Sequence, residues 1–147
     1  MKLLRIILIL VVIGTAAALY GIREFNRKPE STSEKEAIGR YSAGSLTEQF
    51  EKNDSSATLQ LAGKIVEVDG IIEERTEDNG TIRIKLKGTD MSSIICQLEA
   101  KDSALISGKG TGATVCVKGQ CNTYQKVDLL PGGDLLLSNC VLVDYRK

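Results

Sequence analysis

From Lys64 onward apolar and polar residues alternate with a period of two, and that alternation constrains the fold more than any other feature of the chain. Successive side chains on a strand point to opposite faces, so such a run marks a strand with one face buried. Val66, Val68 and Ile72 take one face of a first long strand, and Glu67, Asp69 and Glu73 the other. Gly70 sits inside that strand, where glycine marks a bulge or sharp bend. Asp78-Asn79-Gly80 is a hairpin turn. The second strand puts Ile82, Ile84 and Leu86 inward and Thr81, Arg83, Lys85 and Lys87 outward. A third strand near Ser93–Glu99 buries Ile94, Cys96 and Leu98, leaving Ser93, Ile95 and Gln97 outside.

The remaining elements follow in order. Ala100–Ser107 reads as a short helix, and Gly108, Gly110 and Gly112 as a turn. A fourth strand, Thr114–Gln120, buries Val115 and Val117; Cys121 shares their face and Cys116 takes the opposite one. The last strand, Leu135–Tyr145, is ambiguous. Leu135, Leu137, Val141 and Val143 are apolar, and so is the alternate set Leu136, Cys140 and Leu142. Ahead of the strands, Ser45-Leu46-Thr47-Glu48 has capping-box spacing and predicts a helix over about Leu46–Lys52. A second turn is expected through Ala57–Leu61. Strand, strand, strand, short helix, strand, strand, with a bent first strand, is the order of a five-stranded Greek-key barrel of the OB type. The expected fold is thus mainly β, preceded by a short helix.

The N-terminus sets the address. An apolar run, Ile6–Ile22, lies behind Lys2 and Arg5. A signal-anchor needs about 17–25 apolar residues, and residues 6–22 just reach that length. Tyr20, Arg23, Arg27 and Lys28 resemble an interfacial belt with snorkelling cations. Ala16 and Ala18 also fit an A-x-A cleavage site. We expect an uncleaved membrane anchor, with the domain outside the cytoplasm in the periplasm. Secretion to the periplasm after signal cleavage is the alternative. Residues 1–28 are then the anchor or signal segment, 29–42 a polar linker, and 43–147 the OB-fold domain.

Composition narrows the chemistry. The net charge of zero hides an asymmetry: residues 29–147 carry fourteen Lys/Arg and eighteen Asp/Glu. A nucleic-acid binder normally carries the opposite balance. The chain has no histidine, which removes the commonest general base and metal ligand. The four cysteines, Cys96, Cys116, Cys121 and Cys140, form no C-x-x-C pair. No metal site, cofactor or catalytic residue is therefore expected. Glu73 and Glu74 are adjacent on a strand and point to opposite faces, so they cannot act on one substrate together. In an exported domain one disulfide is expected, with Cys121–Cys140 the preferred pair; buried free thiols are the plainer alternative.

Several spacings together resemble a known family. They are Leu46 with Phe50-Glu51-x-Asn53, Gly63-Lys64-x-Val66-x-Val68-x-Gly70, and Cys96-x-Leu98. Val115-x-Val117-x-Gly119-x-Cys121 and Leu137-Ser138-Asn139-Cys140-x-Leu142 follow. Asn26-Arg27-Lys28-Pro29 after the apolar run adds to them. In their order they resemble the tRNA-anti-like family of bacterial OB-fold proteins, often membrane-anchored, over residues 43–143. The Gln125–Asp134 stretch and Cys116 depart from the family pattern. The resemblance implies a fold and not an activity.

OB barrels take ligands on the outer face of their second and third strands. Here that face carries Arg83, Lys85 and Lys87, the candidate ligand-binding residues. Single-strand binders also stack bases on aromatic rings, and this face has none. Glu67, Asp69 and Glu73 are expected to offset part of its positive field. The reading is a membrane-tethered, non-enzymatic binding or scaffold module, its partner a protein or small ligand. Single-stranded nucleic acid, of RNA or tRNA type, is the alternative.

Overall fold

The Asn79-Gly80 turn sets the register from which the rest of the sheet follows. A computed structural model describes residues 13–21, 32–98, 102–106, 108–126 and 132–143. Asn79 and Gly80 both adopt positive φ, 49° and 78°, as a tight hairpin turn of the twist-matching kind requires. The turn joins β2 (Ile65–Asp78) to β3 (Thr81–Lys87) and pairs Asp78 with Thr81, Glu77 with Ile82, Arg75 with Ile84 and Glu74 with Lys85. Continued unbroken, that register would set Leu86 against Glu73 and Lys87 against Ile72. Instead Ile72 pairs with Leu86, and Glu73 is the extra residue of a bulge. The bulge keeps both apolar side chains in the core, where each is at most 1% exposed. The bend expected at Gly70 therefore falls three residues later. Gly70 itself pairs regularly with Val115, and a Cβ there would stand 3.1 Å from Ala43 and Leu86.

β2 changes partner along its length. Its first half, Ile65–Ile71, pairs antiparallel with β5 (Thr114–Lys126), and its second half with β3. β3 pairs with β4 (Ser93–Leu98), β4 lies parallel to β6 (Gly133–Leu142), and β6 returns antiparallel to β5. The order β2-β3-β4-β6-β5 closes on β2. The fold is a five-stranded OB-type barrel with helices attached. A sixth strand, β1 (Arg40–Ser42), runs parallel to β2 through Arg40–Glu67 and Ser42–Asp69. Together with a 3-10 turn at Thr32–Glu34 that packs on β5 and β6, it shows that the stretch expected as free spacer is laid on the domain from Thr32 onward.

Helix α1 (Ala43–Lys52) starts three residues earlier than expected. Its cap is Ser42, whose Oγ accepts from the Ser45 backbone N–H at 3.2 Å, while the Ser45 hydroxyl donates back to the Ser42 carbonyl at 3.0 Å. Ala43, Leu46 and Phe50 share its buried face and enter the barrel core. Asn53 then caps α2 (Asp54–Leu61), accepting from the Ser56 N–H at 3.0 Å. A short helix, α3 (Ser103–Ile106), buries Ile106 completely.

β6 resolves its two apolar sets by using part of each. Leu135 and Leu137 face inward, Asn139 takes φ 50°, and Cys140 then faces inward too. The register against both neighbours slips at that point. Gly119 lies across the slip, and a Cβ there would meet Cys140 Sγ at 2.5 Å. The expected Cys121–Cys140 disulfide is not formed: no disulfide joins Cys96, Cys116, Cys121 or Cys140. Cys121 pairs with Leu137, and the Cys140 sulfur fills the space over Gly119.

Residues 1–30 form a separate unit, of which residues 13–21 are described, as an exposed helix. Among the described residues no helix is long and apolar enough to cross a membrane. Residues 6–12 and 22 of the span expected at residues 6–22 lie outside the described residues.

Candidate ligand-binding face of the barrel

The two registers of β3 fix what stands beside each of its outward cations. Lys85 has Glu74 of β2 on one side and Ile95 of β4 on the other. Ile95 pairs with Leu136 of β6, and Leu136 with Thr123 of β5. A row therefore crosses the outer face as Glu74, Lys85, Ile95, Leu136 and Thr123. Below it run Thr76, Arg83 and Gln97; above it run Lys87, Ser93, Asp134 and Gln125. Arg83 and Lys87 are exposed, whereas Lys85, Ile95 and Leu136 are half-buried. Glu74, Thr76, Arg83, Ile84, Lys85 and Ile95 line a shallow groove of about 180 Å³.

All three expected cations thus lie on one face, and the groove joins Arg83 to Lys85. The acidic neighbours differ from expectation. The Glu73 bulge turns Glu74 toward Lys85, while Glu67 and Asp69 lie in the half of β2 that pairs with β1 and β5. There Asp69 accepts two hydrogen bonds from Arg40, at 2.5 and 2.7 Å. Only Glu74 directly opposes the cationic row. The signal for this was in the chain: the Asn79-Gly80 turn and the apolar Ile72 and Leu86 together demand a one-residue bulge. Ile95 and Leu136 were visible as apolar residues, but their adjacency depends on β4 pairing with β6.

Some cations elsewhere in the domain are paired, while among the described residues Lys64, Lys109 and Lys118, like those of this face, are not. Arg40 bonds Asp69, Arg75 approaches Glu77 at 3.5 Å, Lys52 approaches Glu48 at 2.7 Å, and Lys126 approaches Asp54 at 2.8 Å. Among the described residues Arg83, Lys85 and Lys87 make no ion pair. Their field is left for a ligand or for water.

No ring stands on this face among the described residues of β3, β4 and β6. Tyr124 turns inward, stacked on Phe50 with ring centroids 5.3 Å apart, and its hydroxyl lies 3.1 Å from Ser92 Oγ. Ser92 also accepts from the Gly133 N–H at 3.1 Å. These bonds close the end of the barrel beneath α1.

Two of the thiols, Cys116 and Cys121, are poor nucleophiles. Burial, and then the carboxylate of Asp69, push Cys116 up to about 12; burial pushes Cys121 up to about 11. The reactive form is the thiolate. Asp69 moves the other way, held below the usual carboxylate range chiefly by its hydrogen bonds from Arg40, with the Cys116 thiol assisting.

Comparison with known proteins agrees with this architecture. The chain resembles the crystal structure of a lipoprotein of Klebsiella pneumoniae subsp. pneumoniae MGH 78578 inferred to bind nucleic acid. The two share 18% identity and a TM-score of 0.57 over 80% of this chain and 100% of that one. Weaker likenesses include an OBody bound to hen egg-white lysozyme, at 12% identity and a TM-score of 0.44 over 59% of this chain and 88% of that one. Another is asparaginyl-tRNA synthetase of Entamoeba histolytica, at 12% identity and 0.41 over 59% of this chain and 22% of that one. No curated protein matches the chain. The tRNA_anti-like family model matches residues 1–131, nearly nine-tenths of the chain. On that match the chain belongs to the tRNA_anti-like family.

Proposed function

We propose that the chain is a membrane-tethered, non-enzymatic binding module that takes its ligand on the outer face of β3 and β4. The observation that carries this reading is the cationic row Arg83, Lys85 and Lys87, unpaired beside a groove floored by Ile95. An acidic domain that leaves three neighbouring cations out of ion pairs, with Glu74 alone directly beside them, holds a local field for a partner.

The tether is residues 6–22, with the barrel on the periplasmic side. The likeness to a lipoprotein supports an extracytoplasmic place. The non-catalytic reading is supported by a chain without histidine and by the burial that pushes the Cys116 and Cys121 thiols up to about 12 and about 11. Protease treatment of spheroplasts tests the tether. Barrel digestion with retention of the N-terminal fragment in the membrane supports it; a protected barrel, or a chain found wholly in the soluble fraction, contradicts it.

Single-stranded nucleic acid is a second reading, favoured by the same cationic row and by the role inferred for the Klebsiella protein. A gel shift with single-stranded RNA at low salt, repeated with Arg83→Glu, Lys85→Glu and Lys87→Glu combined, tests it. The missing stacking rings and Glu74 inside the groove weigh against it.

A further inference from the structure

We infer that this face takes an extended polypeptide segment bearing acidic, aliphatic and acidic side chains at alternate positions, docked along β3 and β4. The inference rests on the reading that the outer face of β3 and β4 is the working surface, and it names the class of ligand.

Size is the first argument. Pockets that enclose drug-sized ligands run to about 300–1,000 Å³, whereas this groove holds about 180 Å³. It has room for one side chain of a larger ligand. Its floor is aliphatic: Ile95, half-buried, continues into Leu136 on the next strand.

Spacing is the second. Arg83, Lys85 and Lys87 alternate along one strand, so neighbouring cations repeat about every 6.8 Å. Arg83, Lys85 and Ile95 line the groove, and Lys87 stands one step beyond it on the same face of β3. An extended peptide has the same two-residue repeat. An aliphatic side chain seated over Ile95 therefore puts the side chains two residues before and after it beside Arg83 and Lys87. Carboxylates there meet cations that have no other partner among the described residues.

Charge mixture is the third, and it separates polypeptide from nucleic acid. Glu74 lies in the groove, and Asp134 lies in the row of Lys87 and Ser93. A phosphate chain crossing the face would pass both carboxylates. A peptide backbone offers N–H donors to them, and Thr76, Gln97 and Ser93 offer neutral partners for its remaining groups. Base stacking would need a ring, and Tyr124 is committed to Phe50 and Ser92.

The test uses the full chain, nitrogen-15-labelled in detergent micelles, titrated with the peptide Ser-Glu-Ser-Leu-Ser-Glu-Ser and followed by amide shifts. The expected result is perturbation confined to residues 83–87, 93–97 and 134–136. Binding should weaken roughly tenfold when the peptide's Leu becomes Ser, returning an aliphatic side chain to water. It should be lost when its two Glu become Lys. Lys85→Glu should weaken binding by roughly tenfold or more. Lys85→Met, which keeps the stem and removes the charge, should weaken it less while leaving the amide spectrum otherwise unchanged. If a short oligouridylate moves these amides and the peptide does not, the inference is overturned while the face stands. If the peptide moves amides elsewhere, or binds Lys85→Glu as well as the native chain, inference and face both fall. Absence of any peptide binding overturns the inference.

Discussion

Gly119 and Cys140 form a pair whose coupling tests the packing at the β6 bulge. Gly119 lies on β5 opposite Val66 of β2, and no side chain separates it from the Cys140 sulfur. In Gly119→Ala the new methyl would sit 2.5 Å from Cys140 Sγ and 3.3 Å from Leu137 Cβ. Ordinary contact is about 3.5–4.0 Å, so about 1 Å must be found. Cys140 and Leu137 are both 0% exposed and have no open side to move toward. Overpacking of this size costs about 1–3 kcal/mol. Cys140→Ala deletes one buried heavy atom, at about 0.5–1.5 kcal/mol by analogy with other single-group deletions. In the double variant the alanine methyl occupies the space the sulfur left. The double should therefore be about as stable as Cys140→Ala alone, a favourable coupling of about 1–3 kcal/mol. Urea unfolding of residues 31–147, followed by far-UV circular dichroism, measures all four corners of the cycle. A loss below about 0.5 kcal/mol for Gly119→Ala, or additive losses in the double variant, would refute the reasoning.

Three further outcomes follow from the packing and the turn geometry. Because Cys116 and Cys121 are buried with pKa values near about 12 and about 11, iodoacetamide at pH 8 should label the native domain slowly, and four thiols should react once it is unfolded without reductant; fewer than four would reveal a disulfide and contradict the free thiols. Asp69 has a folded pKa below its unfolded value, so its pairing stabilises the domain above about pH 4 and is lost as pH falls through the folded value. The pair is partly exposed, so Arg40→Gln should cost only about 0.2–1 kcal/mol near neutrality, and a loss that does not shrink toward pH 2 would contradict the pairing. Gly80 has φ 78°, so Gly80→Ala should lower the urea midpoint by about 1–2 kcal/mol in stability terms with an unchanged slope; no shift would argue against the turn.

The legible parts of this chain were those where one local rule decides the outcome. The alternation of Ile82, Ile84 and Leu86 with Arg83, Lys85 and Lys87 placed three cations on one face, and the hairpin turn placed β3 beside β2. The less legible parts depended on two elements at once. The Glu73 bulge follows only when the turn register and the buried pair Ile72–Leu86 are considered together. The faces of β6 could not be chosen because Asn139 shifts the phase partway along a strand with apolar residues on both faces. Ser42 and Ser45 both suit a helix cap. The competition is settled by β1, which docks on β2 immediately before Ala43. The Cys121–Cys140 pairing failed because nearness along two strand ends does not set register. Ile95 and Leu136 became neighbours through a parallel pairing that no local pattern announces.

Every surface described above depends on the sheet closing through β4 and β6. Backbone nuclear Overhauser contacts between these two strands are its most direct measure. Closure predicts parallel-strand contacts linking Ile94, Ile95 and Cys96 with Leu135, Leu136 and Leu137, with slowly exchanging amides on the bonded sides of both strands. An open edge at β4, with no contacts to β6 and amides that exchange at once, would contradict it and dissolve the row that joins Lys85 to Leu136.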